Sequence, residues 1–337
     1  MKKDEKQKKI KIDHFIEDKK DRVEVKMRGI KSNVDFNKLK SLGFVKQKQK
    51  NLFTVRCACP GGRVPIKRLK KMIEAAEKYG NGYVHLTARQ GLEIPYVHHK
   101  DFDRVIDLLA KAKGEIGSGG PRVRVPTACG GCEYNPHGLM DTQKMCQMVY
   151  KKFFGHPCNH KFKISFSGCP HDCVRTNDID LGFQGAVLPG FSDKKCVRCG
   201  TCSYACKERA IKPDKEGMPV FTQKNCVLCG DCIRVCPREA WVVDKRGYIV
   251  RVGGKHGVHP LNGSVIARLV SDSKVAPIIK KTLQWYNKEG TSKGKIRIGE
   301  ILRKGSNMEN YMVFMKNVLG EYAEKKVRKP ELIRTLN

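Results

Sequence analysis

Two short segments of the chain carry four cysteines each at the same spacing. The first run comprises Cys196, Cys199, Cys202 and Cys206, and the second run comprises Cys226, Cys229, Cys232 and Cys236. Both follow the pattern C-x2-C-x2-C-x3-C, which places three thiolates on a tight loop and a fourth at the start of the next helix. Such a run encloses a cubane of iron and sulfide, whereas zinc sites usually take two separated pairs of ligands. The two runs therefore predict two [4Fe–4S] clusters.

The fourth cysteine of each run is predicted to serve the other cluster, as it does in two-cluster ferredoxins of the bacterial type. One cluster is then assigned to Cys196, Cys199, Cys202 and Cys236, and the other to Cys206, Cys226, Cys229 and Cys232. After the first run, Lys207 stands where this pattern normally has proline. That replacement can change the local backbone or the reduction potential, but it removes no ligand.

Four further cysteines form a second constellation outside the runs. Cys129 and Cys132 lie in TACGGCEYNP, and Cys169 and Cys173 lie in SGCPHDC. The glycine and proline of the second segment favour a tight loop that presents the sulfurs. Four thiolates are enough for a third cubane. Two separated pairs are equally able to bind zinc, so the residues alone leave both kinds of site open.

The first part of the chain is predicted to alternate strands and helices. We expect strands at 51–58, 83–87 and 92–97, and helices from Pro65 to Tyr79 and over 101–113. The apolar residues expected to face the core from these helices are Ile66, Leu69, Ile73 and Ala76, then Phe102, Val105, Ile106 and Leu109. This order of elements predicts an α+β unit of ferredoxin-like topology.

The rest of the chain is predicted to build a second domain around the cysteines. We expect a helix over about 140–154, a strand at KFKISF (161–166), and a strand with glycine turns at GYIVRVGGKHGVHP (247–260). Two helices are expected near 263–288 and 308–324. The duplicated cysteine run within 196–236 is the one internal repeat that the sequence contains.

The composition limits the classes of protein to which the chain can belong. Its 337 residues are enough for two or three domains, and its 16 cysteines without an apolar N-terminal leader predict a reducing, cytoplasmic location. No run is long enough to span a membrane. The formal net charge of +33 suggests nucleic acid or an acidic partner. Because the basic residues are spread without an RNA-binding aromatic module, we expect an acidic electron donor or a lysine-rich proteome, and no nucleic acid.

Four motifs give the chain a resemblance to a known family. They are TVRCACPGG (54–62), HLTARQ (85–90), KFKISFSGCPHDC (161–173) and GGKHGVHP (253–260), in this order. Together they resemble the siroheme-dependent sulfite and nitrite reductases, above all the dissimilatory enzymes and the C-type subunits of anaerobic sulfite reductases. The resemblance covers residues 50–186 and 247–325. It implies a [4Fe–4S] cluster on Cys129, Cys132, Cys169 and Cys173, with Cys173 bridging to the siroheme iron.

The first cysteine pair departs from the pattern of that family. The family usually spaces this pair as C-x5-C, whereas Cys129 and Cys132 are spaced C-x2-C and the position six after Cys129 is Asn135. Either the loop is rearranged so that Cys132 is a ligand, or the ligand set is irregular. Cys146 and Cys158 are the alternative ligands, and both are also typical of core thiols.

The resemblance also implies which cations bind the substrate. By motif position these catalytic residues are Arg56, Arg124, Lys161 and Lys163, with Arg122 as an alternative to Arg124. Alternation along a strand points Lys161 and Lys163 to one face and Phe162 to the other, which suits two cations that converge on one anion. The alternative is an ordinary solvated strand face.

Siroheme bears eight carboxylates, so its pocket requires further cations and backbone donors. Arg89 in HLTARQ is the leading candidate, and Lys255 and His256 in the glycine-rich GGKHG segment are further candidates that could equally be surface residues. His171, between Cys169 and Cys173, either tunes the cluster and relays protons or simply caps the loop.

The expected organisation has four parts. They are a charged tail (1–20), a ferredoxin-like half-domain (21–120), a siroheme and [4Fe–4S] domain (121–187 and 247–337), and an inserted two-cluster ferredoxin module (188–246). The expected function is reduction of sulfite to sulfide by six electrons, with siroheme and three [4Fe–4S] clusters as cofactors. A low-potential donor protein is expected to supply the electrons, because no nucleotide fingerprint is present.

Two other functions stay open at this point. One is a siroheme nitrite reductase, and the other is a non-catalytic iron–sulfur protein that only transfers electrons. The larger members of the family contain two such halves around one site, whereas this chain carries one. We therefore expect a homo-oligomer or a hetero-oligomer.

Overall fold

The computed structural model describes residues 22–27 and 30–333, with side chains from residue 36 onward. The predicted tail at 1–20 lies outside the described residues. The chain divides into two compact units, of which the first is Met1–Ala58 with Val64–Gly120 and the second is Cys59–Arg63 with Pro121–Asn337. In the described part of the chain, no helix is both long and apolar enough to cross a bilayer.

The first unit is an α+β layer, as its alternating pattern predicts. Its strands are β1 (Arg22–Met27), β2 (Ile30–Asp35), β3 (Phe44–Lys46), β4 (Leu52–Cys57), β5 (His85–Leu86) and β6 (Leu92–His98). Its helices are α1 (Phe36–Ser41), α2 (Ile66–Tyr79) and α3 (Phe102–Ala110). Strands β3, β4, β6 and β5 form one antiparallel sheet in that order. Phe44, Phe53 and Phe102 pack together beneath it, with ring centroids 4.0 and 5.1 Å apart.

The buried face of α2 differs from the predicted one. Ile66 and Ile73 are 66% and 41% exposed, whereas Met72 and Ala75, which were not predicted to face the core, are buried with the predicted Ala76. The helix carries apolar residues on two sides, and the side with Met72, Ala75 and Ala76 is the buried one. Gly80 at the end of the helix allows a close approach to β6, because a Cβ there would lie 2.9 Å from the carbonyl oxygen of Pro95 in that strand.

The second unit is built on a mixed five-stranded sheet. Its strands are β7 (Thr127–Ala128), β8 (Ile164–Ser167), β9 (Leu181–Phe191), β10 (Ile211–Pro213), β11 (Pro219–Phe221), β12 (Trp241–Val252), β13 (Leu261–Asn262), β14 (Ser264–Val270) and β15 (Glu331–Leu332). Its helices are α4 (Thr142–Phe153), α5 (Thr201–Ala205), α6 (Asp231–Val235), α7 (Asp272–Gly290), α8 (Ile298–Leu302) and α9 (Asn307–Leu319). The sheet order is β14-β12-β9-β8-β7, with β7, β8 and β9 parallel and the other pairs antiparallel.

The helix predicted over 263–288 is wrong for its first third. Residues Ser264–Val270 form β14, and the helix begins only at Asp272. The apolar run of this segment pairs with β12 at the edge of the sheet, where backbone hydrogen bonds to a neighbouring strand outweigh a weak local helix preference. The last helix ends at Leu319, earlier than predicted, because Gly320 takes a positive φ of 53° that terminates it.

The segment 188–246 extends from the sheet as a small module. Strands β9 and β12 pair along their whole lengths, and their outer ends meet at Phe191 and Trp241. Trp241 packs against Phe191 and Phe221, with ring centroids 4.7 and 5.7 Å away. Together with Ile211 and two cysteines, these rings form a core of their own. The short helices α5 and α6 and the β10–β11 hairpin surround that core, and so the module is anchored to the rest of the unit by two continuous strands.

Candidate functional site

The eight cysteines of the two runs line two separate cavities in the module. One cavity is lined by Cys196, Cys199, Cys202 and Cys236, and the other by Cys206, Cys226, Cys229 and Cys232. In each cavity, the last cysteine of one run lies with the first three cysteines of the other run, as crossed ligation requires. Helices α5 and α6 pack side by side, and Cys206 and Cys236 directly follow their C-terminal ends. The fourth cysteine of each run thus follows a short helix, whereas the sequence predicts it at the start of one.

The backbone around the runs donates hydrogen bonds to sulfur in two matching sets. The amides of Arg198 and Leu228 lie 3.4 and 3.3 Å from the first sulfurs of their runs, Cys196 and Cys226. The amides of Ala210 and Ala240 lie 3.2 Å from the last sulfurs, those of Cys206 and Cys236. Amide donors of this kind stabilise thiolates and tune the potential of a bound cluster. The donor set therefore fits two cubanes.

The described side chains do not fit a single-ion site. Within the part of the chain that the structure describes, no three His, Cys, Asp or Glu side chains converge closely enough to hold one metal ion. A zinc site would require its ligands around one ion, whereas each thiolate of a cubane binds a different iron and lies farther from the others.

Glycines bring the two loops of the third constellation together. The loop that ends in Cys173 follows β8, and the loop that carries Cys129 follows the neighbouring strand β7. A Cβ at Gly168 would lie 2.8 Å from the Cα of Gly131, so only glycine allows the loops to approach this closely. The Gly168 amide donates to the Cys129 sulfur at 3.0 Å. Burial raises the pKa of Cys169, and the nearby thiols of Cys129 and Cys173 raise it further.

Polar side chains inside and outside the SGCPHDC motif hold these loops in place. The carboxylate of Asp172 accepts hydrogen bonds from the amide and the hydroxyl of Thr176, at 2.8 and 3.0 Å. Gln184 in β9 donates to the carbonyl of Pro170 at 3.1 Å and accepts from Arg251 at 2.7 Å. Because each contact crosses from the loop to a strand or turn, the cysteine loop is supported from two sides.

The PGG turn of the TVRCACPGG motif also supports the cysteines. The side-chain amide of Gln143 in α4 donates to the carbonyl oxygens of Gly61 and Cys129, at 2.9 and 3.0 Å. Gly61 has a φ of 65°, and a Cβ there would lie 2.5 Å from the Gln143 side-chain oxygen. The glycine therefore has a specific role, which is to let Gln143 reach the backbone of the cysteine loop.

The candidate replacement ligands occupy different environments from Cys132. Cys132 is exposed on the turn that follows Cys129. Burial raises the pKa of Cys146 and of Cys158 to about 12, and their thiols donate to the carbonyls of Pro126 and His160, at 3.5 and 2.7 Å. A thiol engaged in this way behaves as a core residue.

The second unit places three of the predicted cations on one face. Val123 and Phe162 pair as parallel neighbours and are both buried. Paired residues in parallel strands point to the same side, so Arg124, Lys161 and Lys163 lie on the opposite side, where all three are half-buried. Arg122 shares this face, but its guanidinium donates to the carbonyl of Gly155 at 3.0 Å.

A buried ion pair that the sequence motifs did not indicate anchors this cationic face. Arg297 makes a bidentate contact with Asp180, with both N–O distances 2.7 Å, and both side chains are almost fully buried. One oxygen of Asp180 also accepts the backbone amide of Lys163 at 2.9 Å. His160 lies nearby: burial lowers its pKa, and Lys161 and Arg297 lower it further. The ion pair therefore fixes the strand that carries the lysines.

The remaining predicted residues are placed as follows. Arg56 in β4 of the first unit pairs with Glu93 at 2.8 Å, and Arg89 lies half-buried in the turn between β5 and β6. In the second unit, Lys255 pairs with Glu300 at 2.7 Å and is largely covered. His256 is mostly exposed and lies 3.3 Å from Asp178. Arg56 and Arg89 thus belong to a different unit from the other candidates.

Two family models match the chain over most of its length. Residues 119–325 match the nitrite and sulphite reductase 4Fe-4S domain, and residues 45–112 match the nitrite/sulfite reductase ferredoxin-like half domain. The chain belongs to the nitrite and sulfite reductase family. The first match includes the cysteine module, the third constellation and the cationic face, and the second includes Arg56 and Arg89.

Curated members of the family are similar to parts of this chain. The chain is 36% identical over 263 residues to the coenzyme F420-dependent sulfite reductase of Methanocaldococcus jannaschii, covering 77% of this chain and 42% of that protein. It is 28% identical over 169 residues to the C subunit of the anaerobic sulfite reductase of Salmonella typhimurium, covering 45% of this chain and 49% of that one. The chain thus spans less than half the length of these relatives.

The fold agrees with a solved family structure. The crystal structure of dissimilatory sulfite reductase I superposes with a TM-score of 0.64 at 21% identity, covering 81% of this chain and 70% of that chain. At this identity the similarity supports the shared fold alone. The mixed α/β fold with a ferredoxin-like half domain is thereby confirmed.

Proposed function

We propose that the chain is the catalytic part of a sulfite reductase that converts sulfite to sulfide with six electrons. The observation that carries this proposal is the position of β8. Half-buried cations precede this strand at Lys161 and Lys163, and the cysteine loop of Cys169 and Cys173 follows it. One strand thus connects an anion-binding face to a cluster-binding loop, and the relatives named above are sulfite reductases.

The cations act on the oxyanion. Lys161, Lys163 and Arg124 of the second unit bind sulfite and stabilise the negative charge that develops as its oxygens leave as water. Arg56 keeps its proposed catalytic role on its motif position alone. The lysine ammonium groups also donate protons to those oxygens. The Asp180–Arg297 pair holds the Lys163 backbone, so that the charge is preorganised before the anion arrives. Arg122 donates to the Gly155 carbonyl, and Arg124 keeps the proposed role by its motif position.

The cysteines hold the cofactors. We assign one [4Fe–4S] cluster to each cavity of the inserted ferredoxin module and a third to Cys129, Cys132, Cys169 and Cys173. Cys173 would hold siroheme, which would supply the iron that binds sulfite. Cys132 is favoured over Cys146 and Cys158, because those two are buried thiols whose protons are used by backbone carbonyls.

Arg89, Lys255 and His256 are assigned to the siroheme carboxylates. Lys255 pairs with Glu300, and the His256 ring lies 3.3 Å from Asp178. These contacts keep the loop in place while the His256 ring stays mostly exposed. Charge-assisted hydrogen bonds to carboxylates are the strongest that side chains make, so several cations are enough to retain a polyanionic macrocycle.

The visible spectrum and the iron content of anaerobically purified protein test the proposal. Three cubanes and one siroheme give about thirteen irons per chain, together with siroheme absorption bands. A preparation reconstituted with iron, sulfide and siroheme that holds about eight irons and no siroheme would instead support a protein that only transfers electrons.

Nitrite is the second candidate substrate, because the chain also resembles the ferredoxin–nitrite reductase of spinach, at 25% identity over 169 residues. Steady-state rates with the two anions under one chemical reductant decide between them. We expect the larger kcat/KM for sulfite.

We also propose an oligomer, either of this chain or with a different chain, which sedimentation of the active protein tests.

A further inference from the structure

The two cysteine runs share a sequence and a backbone but differ in what covers them. Gly200 and Gly230 occupy equivalent positions, with φ values of 72° and 74°. A Cβ at Gly230 would lie 2.8 Å from the Val187 side chain, whereas a Cβ at Gly200 would meet nothing within 4 Å. The second run therefore packs against the main sheet, and the first run is open on the same side.

The side chains at equivalent positions of the two runs differ in exposure in the same way. Leu228 in the second run is only 5% exposed, and its carbonyl accepts the Val187 amide at 3.0 Å. The equivalent residue of the first run is Arg198, which is exposed, as is the neighbouring Cys199. A charged residue replaces a buried leucine where no protein surface covers the run.

Apolar side chains are nevertheless exposed around the first run. Tyr204 is 86% exposed and Val197 is 56% exposed. The residue equivalent to Tyr204 in the second run is Arg234, which pairs with Asp231 on its own helix. Exposed tyrosines beside small apolar residues are typical of protein–protein interfaces, whereas an isolated charged pair is not.

Positive charge surrounds this apolar surface. Residues 193–209 contain five exposed cations and only two exposed acidic residues. The cations are Lys194, Lys195, Arg198, Lys207 and Arg209, and the acidic residues are Asp193 and Glu208. The Lys207 ammonium lies 5.4 Å from the Tyr204 ring centroid. The lysine that replaces the usual proline thus adds a cation beside the exposed tyrosine, and a complementary partner would be acidic.

We propose that the first-run face, defined as Val197, Arg198, Cys199, Tyr204 and Lys207, is the docking surface for an acidic electron-donor protein. This inference rests on the proposed function, since it names the donor for that reaction. The donor is oxidised by one electron for each electron that the first-run site accepts, and no atom is transferred. The second run provides the exit, because Gly230 lies beside Leu139, whose amide donates to the Gly168 carbonyl of the core cysteine loop at 2.8 Å.

A binding measurement with the cofactor-loaded protein tests the docking surface. The probe is a plant-type ferredoxin, an acidic one-electron carrier, titrated at low and high salt. We expect Arg198→Glu with Lys207→Glu to weaken binding by about tenfold at low salt, since two favourable charge pairs become repulsive. Tyr204→Ser should weaken binding at both salt concentrations, and Tyr204→Phe should restore it. Lys280→Glu, which makes the charge change of one of those two substitutions on α7 outside the module, should change binding by less than about twofold.

Four outcomes would overturn the docking proposal. The first is that the wild-type protein does not bind the ferredoxin at low salt, and the second is that the Lys280 control weakens ferredoxin binding as much as the double variant does. The third is that the double variant dissociates a homo-oligomer of the chain. The fourth is that a duplex oligonucleotide binds more tightly than the ferredoxin and is weakened by the same substitutions. Sulfite reduction driven by reduced methyl viologen separates this result from the proposed function. That small reductant needs no docking surface, so the double variant should retain its viologen-driven rate of sulfite reduction.

The two proposals can fail separately. A wild-type protein that binds ferredoxin but does not reduce sulfite with viologen would refute only the proposed function.

Discussion

The inserted module and the core of the second unit both bring cysteines together in groups of four, but different features of the chain place the cysteines close to one another. In the module, three of every four cysteines lie within seven consecutive residues, and a short helix delivers the fourth. In the core, Cys129 and Cys169 are forty residues apart and meet because β7 and β8 are parallel neighbours. The module depends on local spacing, whereas the core depends on the sheet.

This difference determines how much support each group requires. The module uses its own amides as donors to sulfur, at nearly equal distances in the two runs. The core loops are held by residues outside them: Gln143 and Gln184 donate to loop carbonyls, and Arg251 in turn donates to Gln184. A change outside the motif should therefore disturb the core and leave the module intact.

Cysteine substitutions should have the largest effect and test the comparison directly. Cys206→Ser is expected to remove the cluster of the second cavity, about four irons per chain, and to leave the cluster of the first cavity. Cys132→Ser should instead remove the core cluster and the siroheme. Electron paramagnetic resonance of the reduced protein, with iron analysis, distinguishes these losses.

Cys146→Ser is the matched control for these variants, because the Cys146 thiol is buried and donates to a backbone carbonyl. The Cys146→Ser protein should keep the iron content of wild type. Loss of only the first-cavity cluster in Cys206→Ser would mean that the ligands are not crossed. Full iron content in Cys132→Ser would show an irregular ligand set.

The Asp180–Arg297 pair should be the most sensitive support of the core. Arg297→Met leaves a buried carboxylate without its partner, which should lower the free energy of unfolding by about 3–5 kcal/mol. Arg297→Met combined with Asp180→Asn removes both charges but keeps an acceptor for the Lys163 amide, and it should recover much of that loss. Chemical denaturation of the three proteins measures the difference. An Arg297→Met protein as stable as wild type would mean that the pair does not anchor the strand.

The substrate lysines should affect the rate rather than the fold. Lys161→Met and Lys163→Met keep the bulk of the side chain and remove the charge, so the transition state should lose about 2–4 kcal/mol, or about 30- to 1000-fold in rate. Siroheme and cluster contents should stay near those of wild type. Lys280→Met on α7 provides the control. Wild-type sulfite reduction by both lysine variants would require a pocket built from other cations.

Arg89→Met should have the smallest effect and a different signature. Loss of one charge-assisted contact to a siroheme carboxylate should weaken siroheme binding by about 1.5 kcal/mol, or about tenfold. Turnover per bound siroheme should change little. Titration of siroheme into the apoprotein, followed by rate measurements at known occupancy, separates the two quantities. A lower rate at full occupancy would place Arg89 with the substrate cations instead.

The sequence predicted well wherever the determining contacts are local. The family, the α+β class of the first unit and the helices near 65–79, 101–113 and 140–154 are confirmed. The prediction failed at Ser264–Val270, where pairing with β12 decides the conformation, and on the face of α2, where Ile66 and Ile73 are exposed. The module boundaries, the site residues and the number of clusters stay predictions.

The sequence by itself determined which thiolates form triplets, because a spacing of three residues fixes the reach of a loop whatever surrounds it. It also predicts that Lys161 and Lys163 share a face by alternation along a strand, although β8 begins only at Ile164 and not at Lys161 as expected. Only the tertiary structure decided that Asp180 and Arg297 meet beneath those lysines, and that the second run is covered while the first is exposed. Those contacts join residues distant in the chain, and no local spacing records them, since they depend on which strands become neighbours.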